Sequence, residues 1–409
     1  MKREPKRFDM LKKPTNTRLW ARLIMWTIAP FWCWFSKARV KTQKEVRKIK
    51  GPYLILSTHQ SFIDFPMLLT AIYPRMTNWV IAIDEFRHGG EWVMRGIGGI
   101  PKRKFQHDIC TVKFMLESIK KKKRMITFYP EARFELAGVN ERLDKALGKL
   151  CKQAKVPVCV FKANGNFIDS PQWSKHPYRR VRKEGHLFMV ANQQEVETLS
   201  ADVLQERIEK AFVKDEYKWV VENNVHTKCK QRADGLYRIL YKCPHCGKEF
   251  EMESAGIHLW CNACGSKWEM DTLFRLHGLN TDKGFTIVSD WYRWEREEVR
   301  KEVRSGNYKF TDQVRIEDFH SIKLGCIDVG NGTLVQDKNG FTVTGTVEGK
   351  PFVFEKPLST MYSVHVEYNF LGRGDAIDLA NTDRTYFMYP LTAKNNMTKV
   401  HFAQEELYD

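Results

Sequence analysis

The run Ser57-Thr58-His59-Gln60-Ser61-Phe62-Ile63-Asp64 constrains the fold more than any other stretch of this 409-residue chain. It sets a histidine and an aspartate five positions apart, directly after the apolar segment Tyr53-Leu54-Ile55-Leu56. On a regular helix such residues point about 140° away from each other, so the two side chains meet only if the backbone turns between them. The sequence predicts that turn. Tyr53 to Leu56 reads as a buried strand, and Phe62 to Tyr73 carries the apolar spacing of a helix starting near Ser61. His59 then sits in the loop and Asp64 in the first helical turn. A histidine titrating near neutrality takes a proton from an alcohol as that alcohol attacks a carbonyl, while a carboxylate on its other ring nitrogen fixes the tautomer. This is acyl-transfer chemistry that needs no covalent enzyme intermediate. The plainer reading of Ser61-x-x-Asp64 is a capping box, in which Asp64 only satisfies a free amide at the helix start.

Three further segments follow in order: Gly99-Ile100-Pro101-Lys102-Arg103, then Phe128-Tyr129-Pro130-Glu131-Ala132-Arg133, then the apolar Val156-Pro157-Val158-Cys159-Val160. With the first, they resemble the four sequence blocks of the glycerolipid acyltransferase superfamily, whose best-known members are lysophosphatidate acyltransferases. The resemblance covers residues 15 to 215, about half the chain. It implies that His59 is the general base and Asp64 its orienter. It also implies that Arg103 and Glu131 bind the phosphate and glycerol portion of the acceptor, and that the acyl donor is a coenzyme A or acyl-carrier-protein thioester. The third block departs from the family's Pro-Glu-Gly-Thr-Arg: Arg133 comes one residue early and the glycine is missing. An arginine fork suits phosphate oxygens, and the alternative for Arg103 and Arg133 is an ordinary surface ion pair.

Charge is divided unevenly. Residues 1 to 200 hold 39 Lys+Arg against 17 Asp+Glu, whereas residues 201 to 409 hold 28 against 32. The positive field lies on the half with the candidate site, where it favours an anionic membrane surface or an anionic substrate. Lys120-Lys121-Lys122-Lys123-Arg124 is one candidate contact; a solvated helix end is the alternative. Leu23 to Phe35 is uncharged, holds Trp26, Trp32 and Trp34, contains Pro30, and is flanked by Arg18, Arg22, Lys37 and Arg39. It is shorter than the ~20 residues of a spanning helix and suits a segment lying in the interface, or else a buried helix. No cleavage site for a signal peptide follows it. The expectation is a peripheral or monotopic protein on the cytoplasmic face of a membrane.

The first half alternates apolar strands (Tyr53 to Leu56, Met125 to Tyr129, Val156 to Phe161, His186 to Val190) with helices (Phe62 to Tyr73, His107 to Lys123, Glu141 to Lys155, Ala201 to Glu222), as in an α/β fold. A second signal is independent of the first. Cys243-Pro244-His245-Cys246 and Cys261-Asn262-Ala263-Cys264 are two Cys-x-x-Cys pairs fourteen residues apart, each followed by a glycine. Four thiolates at this spacing suit tetrahedral zinc in a zinc ribbon, and the full shell makes the metal structural. The other six cysteines form no framework, which fits a reducing compartment. Residues 251 to 300 hold six Lys+Arg against nine Asp+Glu, too little positive charge for nucleic-acid recognition, so the ribbon reads as a spacer or a protein-docking module.

After a charged helical stretch, Trp291 to Arg304, segments at Gly332 to Gln336, Phe341 to Val347, Pro351 to Phe354, Tyr362 to Tyr368 and Arg384 to Tyr389 alternate like half-buried strands. Asn339-Gly340 and Glu348-Gly349 predict hairpin turns. Phe370 to Asp375 reads as a bulged turn and Gln404 to Tyr408 as a terminal helix, an order that allows a pleckstrin-homology-like barrel. The expected organisation is an interfacial segment (1–40), an α/β acyltransferase domain (41–232), a zinc ribbon (236–275) and a mainly antiparallel β domain (285–409). The expected activity is transfer of a fatty acyl group from a thioester to a lysophospholipid hydroxyl, lysophosphatidate first. Glycerol 3-phosphate or another lysolipid is the alternative acceptor, and a non-catalytic membrane scaffold the alternative role.

Overall fold

Short strands that are apolar on both sides need cover on both faces, and the first sheet has it. The computed structural model describes residues 8–409 except 88, 106–107, 177, 322, 382 and 393–396. Seven strands, β1 (Ala38–Thr42), β2 (Leu54–Ser57), β3 (Thr77–Ala82), β4 (Gly99–Lys102), β5 (Met125–Phe128), β6 (Val158–Asn164) and β7 (Lys183–Ala191), lie in the order β1-β7-β6-β2-β5-β3-β4. The five from β6 to β4 are parallel; β7 opposes β6 and runs with β1. Leu54, Leu56, Ile126, Val158 and Val160 pack beneath the helices Ile109–Lys120, Leu147–Ala154 and Ala201–Phe212. Ile55, Cys159, Phe161 and Leu187 face the helices Leu19–Phe35 and Asp64–Ile72. Parallel alignment places the segments that follow β2, β4 and β5 along one sheet edge, where open α/β sheets bind ligands.

Element bounds shift for local reasons. The helix expected from His107 begins at Ile109, because Asp108 accepts the amides of Cys110 and Thr111; His107 lies outside the described residues. The helix expected from Glu141 begins at Leu147, since Glu141 instead accepts the Leu136 amide and pairs with Arg133. The expected helix Ala201 to Glu222 is two helices, Ala201–Phe212 and Glu216–Glu222, broken where Lys214 turns into the core. The basic run Lys120 to Arg124 precedes β5 and so lies at the sheet edge opposite His59, with the Lys122 ammonium donating to the Pro14 carbonyl.

The ribbon holds β8 (Met252–Ala255), β9 (His258–Cys261), β10 (Lys267–Met270) and β11 (Leu276–Gly278), antiparallel in the order β11-β10-β9-β8. The helix Val288–Arg304 leads to β12 (Phe310–Ser321), β13 (Gly325–Asp337), β14 (Gly340–Val347), β15 (Lys350–Pro357), β16 (His365–Glu367), β17 (Ala376–Ala380) and β18 (Thr385–Pro390). They form an antiparallel sheet, β15-β14-β13-β12-β18-β17-β16, followed by the helix Met397–Tyr408. Two-residue turns join β13 to β14, at Lys338-Asn339 and so one residue before the expected Asn339-Gly340, and β14 to β15 at the expected Glu348-Gly349. Of Tyr362 to Tyr368 only β16 is a strand.

The ribbon is not a spacer. One apolar core runs from Phe167, Trp173 and Tyr217 through Trp268 and Phe274 to Trp291, Val314, Leu334 and Phe402. Buried charge crosses the same junction: Arg133 donates to Ser363 Oγ (2.8 Å) and the Val364 carbonyl (2.6 Å) and pairs with Glu141 (2.5 Å) and Glu405 (3.2 Å).

Candidate active site

β2 is buried to its last residue, and the chain then turns before the helix Asp64–Ile72. Asp64 is fully buried at the head of that helix. Its Oδ2 accepts the amides of Gln60 (2.6 Å) and Ser61 (3.0 Å) and lies 3.3 Å from His59 Nδ1, while Oδ1 accepts from Asn166 Nδ2 (2.6 Å). Capping and orienting are therefore one arrangement: the carboxylate fixes the turn through two amides and the imidazole through a third bond. A capping box proper is absent, because Ser61 Oγ has no partner among the described residues. The Gln60 and Ser61 amides, donated to Asp64, are not offered to an oxyanion.

The imidazole lies between the rings of Tyr129 (3.8 Å between centroids, 18° between planes) and Phe134 (4.0 Å, 33°). Its side chain is 21% exposed, and Nε2 carries no hydrogen bond among the described residues. Burial lowers the basicity of His59, with the charges of Lys104 and His365 adding to the effect and Asp64 opposing it. A base held below its ordinary range is neutral at physiological pH and ready to accept a proton.

Glu131, expected at the acceptor, lies beneath the loop. It is fully buried, its Oε2 accepts the His59 amide (3.1 Å), and its Oε1 accepts the Glu141 amide (3.0 Å). Burial pushes its carboxyl up to about 7, against the pull of Lys214. Glu135 belongs to the same support: its amide donates to the His59 carbonyl (2.7 Å), and its carboxylate meets Gln60 Nε2 (3.3 Å) and Lys214 Nζ (2.5 Å). Burial opposes the Lys214 charge, but Glu135, Glu216 and Glu131 outweigh it and raise its pKa. Arg133, expected beside a phosphate, is 2% exposed and committed to the interdomain network. The shortened third block explains this: Ala132 takes a left-handed turn (φ 58°) and the next side chain enters the junction.

The second block also differs from expectation. Arg103 Nη2 donates to the Asp383 carbonyl (2.8 Å) of the C-terminal domain. It is the next residue, Lys104, whose charge acts on His59. Lys104 Nζ lies 2.9 Å from Asp84 Oδ2, 2.9 Å from His365 Nε2, 3.1 Å from Glu367 Oε1 and 3.9 Å from Asp378 Oδ2. Sequence reasoning missed Lys104, Glu135 and Lys214, since a single lysine or glutamate beside a motif carries no periodic signal.

The four cysteines form a separate centre. Their sulfurs lie within 4.8 Å of one another, with 3.8 Å from Cys243 to Cys264 and from Cys246 to Cys261. Tetrahedral zinc with bonds of about 2.3 Å requires sulfurs about 3.8 Å apart, so these residues fit the metal. Gly247 (φ 73°) and Gly265 (φ 74°) hold the left-handed turns that follow each pair, a conformation that favours glycine. A second group with ligand geometry among the described residues, Glu141, His401 and Glu405, already surrounds the Arg133 guanidinium.

Residues 37–161 match the family model described as Acyltransferase. No curated protein matches the chain. Among solved structures it is similar to the 1-acyl-sn-glycerophosphate (LPA) acyltransferase PlsC from Thermotoga maritima, with 14% sequence identity over 47% of this chain and 77% of that one, and a TM-score of 0.37.

Proposed function

With residues 37–161 as a domain of the glycerolipid acyltransferase superfamily, we propose that the chain moves a fatty acyl group from a coenzyme A or acyl-carrier-protein thioester to a hydroxyl of a lysophospholipid. The observation that carries this reading is His59, whose Nδ1 meets a buried carboxylate while Nε2 is left for a substrate proton. His59 removes the hydroxyl proton as the oxygen attacks the thioester carbonyl. Asp64 holds the ring and stabilises the imidazolium that forms, and the thiolate of the carrier leaves with the proton. Glu131, Glu135 and Lys214 hold the loop from below.

The reaction belongs at the cytoplasmic face of a membrane. The helix Leu19–Phe35 buries Ala21, Met25, Ala29 and Cys33 against its own domain and exposes Leu23, Ile28, Phe31, Trp34 and Phe35. Phe62, three residues from His59, is 65% exposed and packs on Trp32 (5.6 Å), which extends that apolar face toward the base. Among the described residues no helix is long and apolar enough to cross a membrane. The four-cysteine centre holds structural zinc, and the strand order with its following helix supports a pleckstrin-homology-like reading of the C-terminal domain. A protein partner through the ribbon or that domain is a further part of the proposal; a specific nucleic acid is not.

The test is purified protein, labelled acyl thioester on either carrier, and a set of lysolipid acceptors. His59→Ala should lower the rate by about 10² to 10⁴. Undiminished esterification by that variant would sink the reading.

A further inference from the structure

The helix Ile109–Lys120 carries two apolar stripes where packing needs one. Phe114, Met115 and Ile119 are buried on its sheet side. Ile109, Val112 and Leu116 recur at helical spacing on its outer side, Ile109 being 85% exposed. They floor an open groove of about 410 Å³, with Lys113, Lys120 and Lys121 along it. Glu117, the one acid of the helix, lies 3.6 Å from Lys121. Lys113, Lys120 and Lys123 are exposed, and no salt bridge among the described residues engages them.

The position of this stripe decides what covers it. The helix packs on one face of the first sheet, whereas the helix Leu19–Phe35, whose exposed apolar side meets the membrane in the reading above, packs on the other. A flat bilayer that receives the second leaves the first toward water. The stripe also begins at the catalytic edge. Thr111 Oγ1 donates to the Pro101 carbonyl (2.9 Å), which ties the first helical turn to the end of β4. Strand register sets Pro101 level with Ile81, and Trp79 level with Thr127 and Ile55. The end of β4 is therefore level with Ser57, two residues before His59, and three strand spacings, about 14 Å, to its side.

We propose, on the premise that the chain is a lysolipid acyltransferase, that the outer side of this helix docks a small acidic carrier protein and that the donor thioester arrives on it rather than on free coenzyme A. From Ile109 to Lys120 the stripe runs about 17 Å, a length suited to a protein face rather than to a nucleotide. A partner helix with apolar residues between carboxylates covers Ile109, Val112 and Leu116 and sets its acids against the lysines. A second copy of this chain does the reverse, because two such faces bring lysine against lysine. Donor and acceptor then reach the edge at His59 from opposite faces of the sheet, the donor from water and the acceptor from the bilayer beside Phe62, and they compete for no surface.

The experiment uses the full chain, one lysolipid acceptor, and the same labelled acyl group on acyl carrier protein and on coenzyme A. In the double variant Lys113→Glu, Lys120→Glu, with its melting point checked against wild type, KM for the acyl carrier protein should rise about tenfold or more while kcat and turnover of acyl-coenzyme A stay as in wild type. Ile109→Ser, at an exposed position, should raise the same KM in the same donor-selective way. Equal loss with both donors, or no loss with either, would overturn the proposal. So would loss of sedimentation with phosphatidylglycerol–phosphatidylcholine vesicles at unchanged carrier-protein KM, which would make the stripe a membrane contact, or conversion of a dimer to a monomer, which would make it a self-contact. Turnover by wild type of acyl-coenzyme A alone, abolished by His59→Ala, would overturn the docking while leaving the acyltransferase reading intact. Acylation from neither donor would overturn the inference together with its premise.

Discussion

Asp64 makes four contacts with one buried carboxylate, and that density decides what its substitution does. Asp64→Asn keeps one oxygen for the Gln60 and Ser61 amides and the imidazole, which share Oδ2, but presents a donor to Asn166 and removes the negative charge that steadies the imidazolium. Turnover should fall by about 10² or more, with thermal unfolding showing a folded protein of lower melting point. The acid limb of kcat/KM should have its midpoint below the ordinary imidazole value of about 6.5, because burial holds His59 down. Removing a positive charge with Lys104→Met should move that midpoint up. Glu131 has the opposite linkage. Its folded-state pKa, about 7, lies above the unfolded value, so it stabilises at low pH and that contribution is lost as pH rises through 7. The stability of Glu131→Gln relative to wild type should therefore increase with pH, by at most about 1.4 kcal/mol per unit, as urea titrations would measure.

At the level of elements, the His59–Asp64 pair was legible because its spacing forces a turn and the flanking periodicities name what lies on either side. β4 was not: Gly99 and Pro101 read as turn residues, yet Pro101 is tolerated because β4 is the sheet's edge. β1, Ala38–Thr42, is also an edge strand, with Arg39 and Lys41 exposed, so its alternation registers as charge rather than as strand. The C-terminal hairpins were legible from their turns, whereas nothing local announces that β16 brings Glu367 to Lys104 across 263 residues. The N-terminal helix makes a direct prediction. Replacing Leu23, Phe31 and Phe35 by serine should abolish co-sedimentation with anionic vesicles without loss of folding; unchanged binding would exclude that face. The helices Leu147–Ala154 and Ala201–Phe212 cross at Gly148, where a Cβ would stand 2.1 Å from the Ala201 carbonyl oxygen. Gly148→Ala should cost about 1 to 3 kcal/mol in denaturant unfolding.

Across the whole molecule, the shared core makes the ribbon part of the scaffold rather than an attachment. A chelator should lower the melting temperature of the acyltransferase half along with the rest, in one transition by calorimetry; an unaffected upper transition would show that the domains unfold independently. The same core explains why the burial of Arg133 was illegible in sequence: its partners Ser363 and Glu405 lie 230 and 272 residues away. That distance also matters during synthesis. As the chain leaves the ribosome, the catalytic half emerges with the Arg133–Glu141 pair lacking its enclosure, and only when Glu405 clears the exit tunnel can the cluster be completed. Closure of the cluster around Arg133 therefore waits for the synthesis of residue 405, and until then the Arg133–Glu141 pair stays open to water.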